Sequence, residues 1–169
     1  MMTVINQDKS IKDHGQDFIP DDSFLGNIKF DKVDFHYPSN KTKVISNLTC
    51  EFEANKSTAL FGVKCGKSTI LEVLMGFYKT TGGEITIDGK STDTIDKTDM
   101  RRNIGYVGEN PFMFSTTIKE NMQYANPNAT EFEMQQCLES VGAFEILDKD
   151  KKLMTVVGDP ENPFSGGQL

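Results

Sequence analysis

The stretch with the most chemistry in it reads Ser57-Thr-Ala-Leu-Phe-Gly-Val-Lys-Cys-Gly-Lys-Ser-Thr69. An apolar run from Ser57 to Phe61 leads into a loop that starts at Gly62. Gly66-Lys67-Ser68-Thr69 follows and opens an apolar segment. A strand, a glycine-bearing loop and a helix start in this order make the setting that a phosphate-binding loop requires. The first turn of such a helix has backbone N–H groups with no intrahelical acceptor, and the positive end of its dipole attracts anions. Lys67 is placed to reach the β- and γ-phosphates of a nucleotide as a point charge. Ser68 is placed to give a hydroxyl to Mg²⁺. Gly62, Cys65, Gly66 and Thr69 complete the loop and its entry into the helix. The spacing departs from the rule, which asks for a glycine, four residues and then Gly-Lys-Ser/Thr. Only Val63, Lys64 and Cys65 lie between Gly62 and Gly66. One missing residue removes roughly 3.3–3.6 Å of reach and one N–H donor. Either Phe61 takes the first loop position, which shortens the strand, or the loop tightens and loses phosphate contacts. The Lys64 cation compensates in part, so ATP binding is expected here but weakened.

Several elements must hold this loop in place. Ile28 with Phe30, then Val33 with Phe35, alternate with polar partners as in half-buried strands, and the phase slips at Asp31 and Lys32, where a bend or bulge is expected. Leu48, Cys50 and Phe52 alternate again. The run from Ser57 to Phe61 reads as a buried strand, and Ile70 to Phe77 as a helix with Leu71, Leu74 and Met75 at helical spacing. Glu84 to Asp88 alternates once more into the turn signal Asp88-Gly89. Ile104 to Val107 is a further strand candidate. Met134, Cys137, Leu138 and Val141 fall on one helical face. Residues 1–27 are polar and show no sustained period, which predicts a linker or flexible arm.

The whole chain sets limits on function. Its 169 residues suggest one domain. The formal net charge of −7 argues against a protein whose affinity comes from neutralising a nucleic-acid backbone. Three cysteines, Cys50, Cys65 and Cys137, are too few and too scattered for a disulfide framework or a Cys-x-x-Cys metal site. His14 and His36 leave little room for a multi-histidine metal centre. There is no apolar run long enough to span a bilayer and no signal peptide at the start, so the chain itself is expected to be soluble.

The last residues, Phe164-Ser165-Gly166-Gly167-Gln168-Leu169, bring a specific likeness. Ser-Gly-Gly-Gln downstream of a phosphate loop closely resembles the signature motif of ATP-binding cassette (ABC) transporters, with Phe164 where leucine is usual. Other segments follow in the family's order. Phe35-His-Tyr-Pro38 resembles the A-loop, which implies that Tyr37 stacks on adenine. Thr81 to Gly89 resembles a strand and turn of the antiparallel β subdomain. Ile104 to Pro111, followed by Thr116 to Asn121, resembles the Q-loop and the segment after it, while Thr155 to Asp159 matches the approach to the signature. The likeness is greatest to the B-type, multidrug-exporter branch and covers Ile28 to Gln168.

The resemblance implies an α/β fold: a P-loop NTPase core, incomplete, with an antiparallel β subdomain and a helical subdomain over residues 28–169. It implies ATP and Mg²⁺ as ligands. A second nucleotide-binding domain completes the ATP sandwich, with Ser165, Gly166, Gly167 and Gln168 acting on nucleotide held by the opposite subunit. The transmembrane domains of an exporter are the other implied partner, at the cytoplasmic face of a membrane. Glu109 stands where the family has the Q-loop glutamine. An ionised glutamate accepts hydrogen bonds but cannot donate them, so Glu109 can bind Mg²⁺ yet puts coupling to the membrane domain in doubt. The family's Walker B strand, its catalytic glutamate and its switch histidine lie downstream of the signature. The expectation is therefore a domain cut after the signature, with no catalytic residue of its own and little hydrolysis alone. A degenerate, non-catalytic nucleotide-binding or dimerisation fragment, or an inactive partial gene product, is the alternative.

Overall fold

Apolar alternation from Ile28 builds the strand around which the first part of the molecule is organised. The computed structural model describes residue 15 and residues 24–108, 111–147 and 151–158. The chain divides into two units, Met1–Gly105 and Tyr106–Leu169. In the first unit, β1 (Ile28–Phe35) lies between β2 (Ile45–Phe52) and β3 (Gly82–Ile87), and β3 continues to the short β4 (Lys90–Ser91). The order is β2-β1-β3-β4, and every pairing is antiparallel.

The phase slip read at Asp31 and Lys32 is a real irregularity. The β1–β2 register shifts between Phe30 and Val33, and Lys32 takes a φ of 49°. Phe30, Val33 and Phe35 thereby all turn inward despite their uneven spacing. Asp88-Gly89 forms the two-residue turn between β3 and β4, with φ of 50° and 78°, the sign a tight hairpin turn asks for at both central positions. The Asp88 carboxylate also accepts hydrogen bonds from the backbone N–H groups of Leu25 (2.9 Å), Gly26 (3.1 Å) and Asn27 (2.8 Å), tying the chain ahead of β1 to this turn.

Helix α1 (Lys67–Leu74) packs Ile70, Val73 and Leu74 into a core with Phe30, Val33, Phe35, Ile45, Ile85 and Ile87. Each fully buried side chain of this size stabilises the fold by about 1.5–3 kcal/mol. Helix α2 (Lys97–Arg102) adds Met100 and is capped by Asp96, whose carboxylate accepts from the N–H groups of Thr98 and Asp99. Arg101 donates from Nε to the Met75 carbonyl (3.1 Å) and from Nη2 to the Gly76 carbonyl (3.3 Å). A guanidinium thus satisfies carbonyls at the C-terminal end of α1, where a cation is favoured.

Two expected strands do not form. Ser57–Phe61 lies outside every strand and is exposed, Phe61 being 89% exposed. An apolar strand of this kind needs hydrogen-bonded neighbours on both sides, and none of the four described strands pairs with it. Ile104–Val107 is likewise irregular, for the same reason. The helix expected at Ile70–Phe77 begins at Lys67 and ends at Leu74, so Phe77 lies beyond it and Leu71 faces outward.

The second unit is helical. Helix α3 (Ile118–Ala125) and helix α4 (Glu131–Ser140) are followed by short 3-10 turns at Phe144–Ile146 and Lys152–Met154. Ile118, Leu147 and Val157 form its small core, with Met113, Met122, Leu138, Phe144 and Leu153 packed around them. Met113 is thus a packing residue. The apolar face expected on α4 is narrower than its spacing suggests: Met134 is buried and Leu138 half-buried, but Cys137 is exposed and Val141 lies beyond the last helical residue.

Both helices start with a capping box. The Thr117 hydroxyl accepts from the Glu120 N–H while the Glu120 carboxylate accepts from the Thr117 N–H, and Thr130 with Glu133 repeats the pattern. The backbone N–H of each threonine holds the carboxyl of Glu120 and of Glu133 below the ordinary 4.5. A carboxyl depressed in the folded state adds stability that is present above its unfolded pKa and lost as pH falls through its folded pKa. The thermal midpoint reported by helical circular dichroism should therefore fall as pH is lowered below about 4.5. The double variant Glu120→Gln/Glu133→Gln keeps the hydrogen-bonding pattern and should flatten that fall. An unchanged pH slope in the variant would contradict the assignment.

Candidate functional site

The loop 62–66 keeps a backbone suited to anions although it is one residue short. Positive φ values occur at Gly62 (141°), Lys64 (51°) and Gly66 (79°), and not at Val63 or Cys65. Alternation of αR and αL conformations turns successive N–H groups into one concavity, and Lys64 and Gly66 take the left-handed positions here. Lys64 occupies this conformation without being glycine, which costs roughly 1–2 kcal/mol. Gly66 has no such freedom to change. Beyond its φ, an added Cβ would lie 3.2 Å from both the carbonyl oxygen and Cγ1 of Val44.

Gly66 is also the N-cap of α1 and makes no side-chain cap hydrogen bond. Glycine at this position costs only a few tenths of a kcal/mol against serine or asparagine, and it leaves the first-turn N–H groups open. No acidic residue stands in that turn to oppose an anion. Lys67 Nζ donates to the Gly62 carbonyl and lies 3.9 Å from the Cys65 sulfur. The Cys65 thiol itself donates to the Phe61 carbonyl at 3.7 Å. The loop is thus drawn closed over the lysine, which is the tightened form that a missing residue makes accessible. The side chains of Ser68 and Lys64 are exposed.

Thr69 behaves differently from its neighbours. It is buried, with its hydroxyl 2.9 Å from the Tyr37 hydroxyl. Tyr37 also donates to Glu72 Oε2 at 2.8 Å, so the Thr69 hydroxyl is left as the donor to the Tyr37 oxygen. Its ring meets Phe35 and Tyr78 edge-on, each with a centroid separation of 5.1 Å. The Thr69 hydroxyl favours the phenolate, but desolvation, the hydrogen bond to Glu72 and the charge of Glu72 outweigh it. The Tyr37 phenol therefore titrates above its ordinary value and stays a donor at neutral pH.

Tyr37, Gly62, Lys64, Cys65, Gly66, Lys67, Ser68 and Thr69 therefore lie on one strand end, one loop and one helix start of the first unit. Glu109 and Ser165, Gly166, Gly167 and Gln168 lie outside the described residues. Sequence reading missed Glu72. Its i,i+3 spacing from Thr69 marks a shared helix face, but its partner lies 35 residues earlier.

The profile of the ABC transporter family matches residues 45–169. The chain belongs to the ABC transporter family. Several of its relatives carry B-family names. ABC transporter B family member 13 of Arabidopsis thaliana is 36% identical over 146 residues, which is 85% of this chain and 12% of that protein. ABC transporter B family member 4 of Dictyostelium discoideum is 39% identical over 146 residues, 85% of this chain and 19% of that protein. ATP-binding cassette sub-family B member 5 of Homo sapiens is 30% identical over 168 residues, 98% of this chain and 13% of that protein. The ABC chain therefore spans less than a fifth of the length of each of these relatives.

The described loop of the ABC chain suits an anion. The left-handed positions of Lys64 and Gly66, the uncapped first turn of α1 and two lysines in one loop all favour an anion. No group of three or more His, Cys, Asp or Glu residues is built to hold a metal among the described residues. No helix among the described residues is long and apolar enough to cross a membrane.

Proposed function

We propose that this chain is the ATP-binding part of a B-type exporter and takes Mg-ATP at the loop 62–69. The observation that supports it most directly is the left-handed backbone at Lys64 and Gly66 running into the uncapped turn at Lys67. Lys67 and Lys64 neutralise the phosphate chain, Ser68 presents a hydroxyl to Mg²⁺, and the Tyr37 ring serves as the base platform. Bound ATP supplies the phosphoanhydride bond whose cleavage powers such a transporter. Glu109 stands beside Mg²⁺ in this reading. Ser165, Gly166, Gly167 and Gln168 reach nucleotide on a second nucleotide-binding domain. Residues 1–27 serve as a connecting arm, and transmembrane domains carry the exported substrate from the cytoplasmic side.

A second reading, a degenerate binding module, is favoured by the short loop and by the grip of the Gly62 carbonyl on Lys67. Calorimetry separates the two. Binding of Mg-ATP is expected with a Kd weaker than about 100 μM. A glycine inserted between Lys64 and Cys65 restores the usual spacing and one phosphate-facing N–H. A charge-assisted bond gains about 1.5–3 kcal/mol, and ordering one more residue costs about 1–2 kcal/mol. The net expectation is a several-fold tightening. Absence of heat at millimolar Mg-ATP in both proteins would leave the degenerate reading in possession.

A further inference from the structure

The Tyr37 hydroxyl contributes something that its ring does not. Two residues after β1, it is clamped between Thr69 and Glu72 of α1, at 2.9 Å and 2.8 Å. Thr69 stands in the first turn of that helix, the turn whose free N–H groups adjoin the phosphate loop. This turn has no side-chain cap, because Gly66 offers none, and no carboxylate in it to steady the dipole. The loop ahead of it is exposed from Phe61 to Cys65 and unpaired with any described strand. Phe35 and Tyr78 hold the Tyr37 ring from two sides, and Phe35 is itself buried in the core. The hydroxyl therefore ties a helix start without a side-chain cap to a ring that packs on the buried Phe35.

We propose that Tyr37, through its hydroxyl, and Glu72, as the acceptor, are positioning residues for phosphate binding, in addition to any contact of the Tyr37 ring with a base. This rests on the reading that the loop takes nucleotide. If the ring alone mattered, its effect would be confined to ligands that carry a base. A tie to the first turn of α1 acts on the phosphate chain whatever is attached to it. Glu72 needs only an acceptor oxygen to receive the phenol, so its charge is dispensable and its oxygen is not.

The test uses the full chain with two probes, Mg-ATP and inorganic tripolyphosphate with Mg²⁺, titrated by calorimetry. Tyr37→Phe keeps the ring between Phe35 and Tyr78 and removes both hydrogen bonds. It is expected to weaken both probes by the same factor, about three- to tenfold, as befits the indirect effect of losing one neutral and one charge-assisted hydrogen bond. Glu72→Gln should bind both probes within about twofold of the parent chain, while Glu72→Leu should reproduce the Tyr37→Phe loss. Hydrogen exchange at the Ile70 amide, the donor of the first bond of α1 to the Gly66 carbonyl (2.9 Å), should quicken in Tyr37→Phe and in Glu72→Leu. Parent-like binding of both probes by Tyr37→Phe, or a loss confined to ATP, overturns the proposal. If the parent chain binds neither probe, the nucleotide reading fails on that result. Exchange then still decides the tie, and an unchanged Ile70 amide overturns it.

Discussion

Alanine in place of Phe30 is expected to cost the first unit a large fraction of its stability. Phe30 is fully buried on the central strand of the sheet, opposite Cys50 of β2 and Ile85 of β3. Its ring meets Phe52 edge-on at 5.8 Å and 75°. Truncating a core phenylalanine removes its transfer free energy and leaves a cavity, at about 3–5 kcal/mol together. That is a large fraction of the roughly 5–15 kcal/mol that holds a typical domain folded. The neighbours are poorly able to collapse into the gap, since β1 is held on both sides by strand pairing. Urea unfolding followed by tyrosine fluorescence should show the midpoint falling well below that of the parent chain. Phe52→Ala, at a half-buried edge position, should cost clearly less. Equal losses for the two, or a Phe30→Ala loss under about 1 kcal/mol, would show that the core is not centred on β1.

Lys67→Ala is expected to weaken Mg-ATP binding by roughly ten- to hundredfold without lowering the thermal midpoint. Removing a charged donor from a phosphate site costs about 1.5–3 kcal/mol, and each 1.4 kcal/mol is a factor of ten in affinity. The fold should be spared, because Lys67 is the first residue of α1 and its ammonium bonds only loop atoms, the Gly62 carbonyl and the Cys65 sulfur. Alanine is also the stronger helix former. Calorimetry and a thermal melt on the same sample decide the matter. Parent-like affinity in Lys67→Ala would remove the loop from the binding site. A large drop in midpoint would mean that the lysine serves the fold. Lys64→Ala should have a smaller effect, since it removes an exposed cation while leaving the backbone in place.

The elements that the sequence made legible are those whose signals are local. The slip at Asp31 and Lys32 predicted the bulge in β1, and Asp88-Gly89 predicted the turn after β3, because register and turn geometry depend on a few adjacent residues. The two capping boxes went unread although their signal is local too, since the Thr-x-x-Glu spacing stands in the chain at Thr117 and Thr130. Ser57–Phe61 and Ile104–Val107 were misread for the opposite reason. An apolar run says only that burial is favourable, whereas a strand also needs a hydrogen-bonded neighbour, and pairing is a property of distant segments.

The candidate site divides along the same line. Gly62 to Thr69 and the missing residue could be read from residue types and spacing, since a phosphate loop is built from consecutive backbone groups, whereas the ABC family entered through the resemblance of Ser165 to Gln168 and the segments ahead of it. The family profile over residues 45–169 agrees. Tertiary structure alone decided that Lys67 is gripped by the Gly62 carbonyl and that the Val44 carbonyl crowds Gly66. It also decided that Tyr37 ties itself to Thr69 and Glu72, across sequence separations of 32 and 35 residues. Contacts of that range depend on how the sheet carries β1 against α1, and no spacing along the chain encodes that distance.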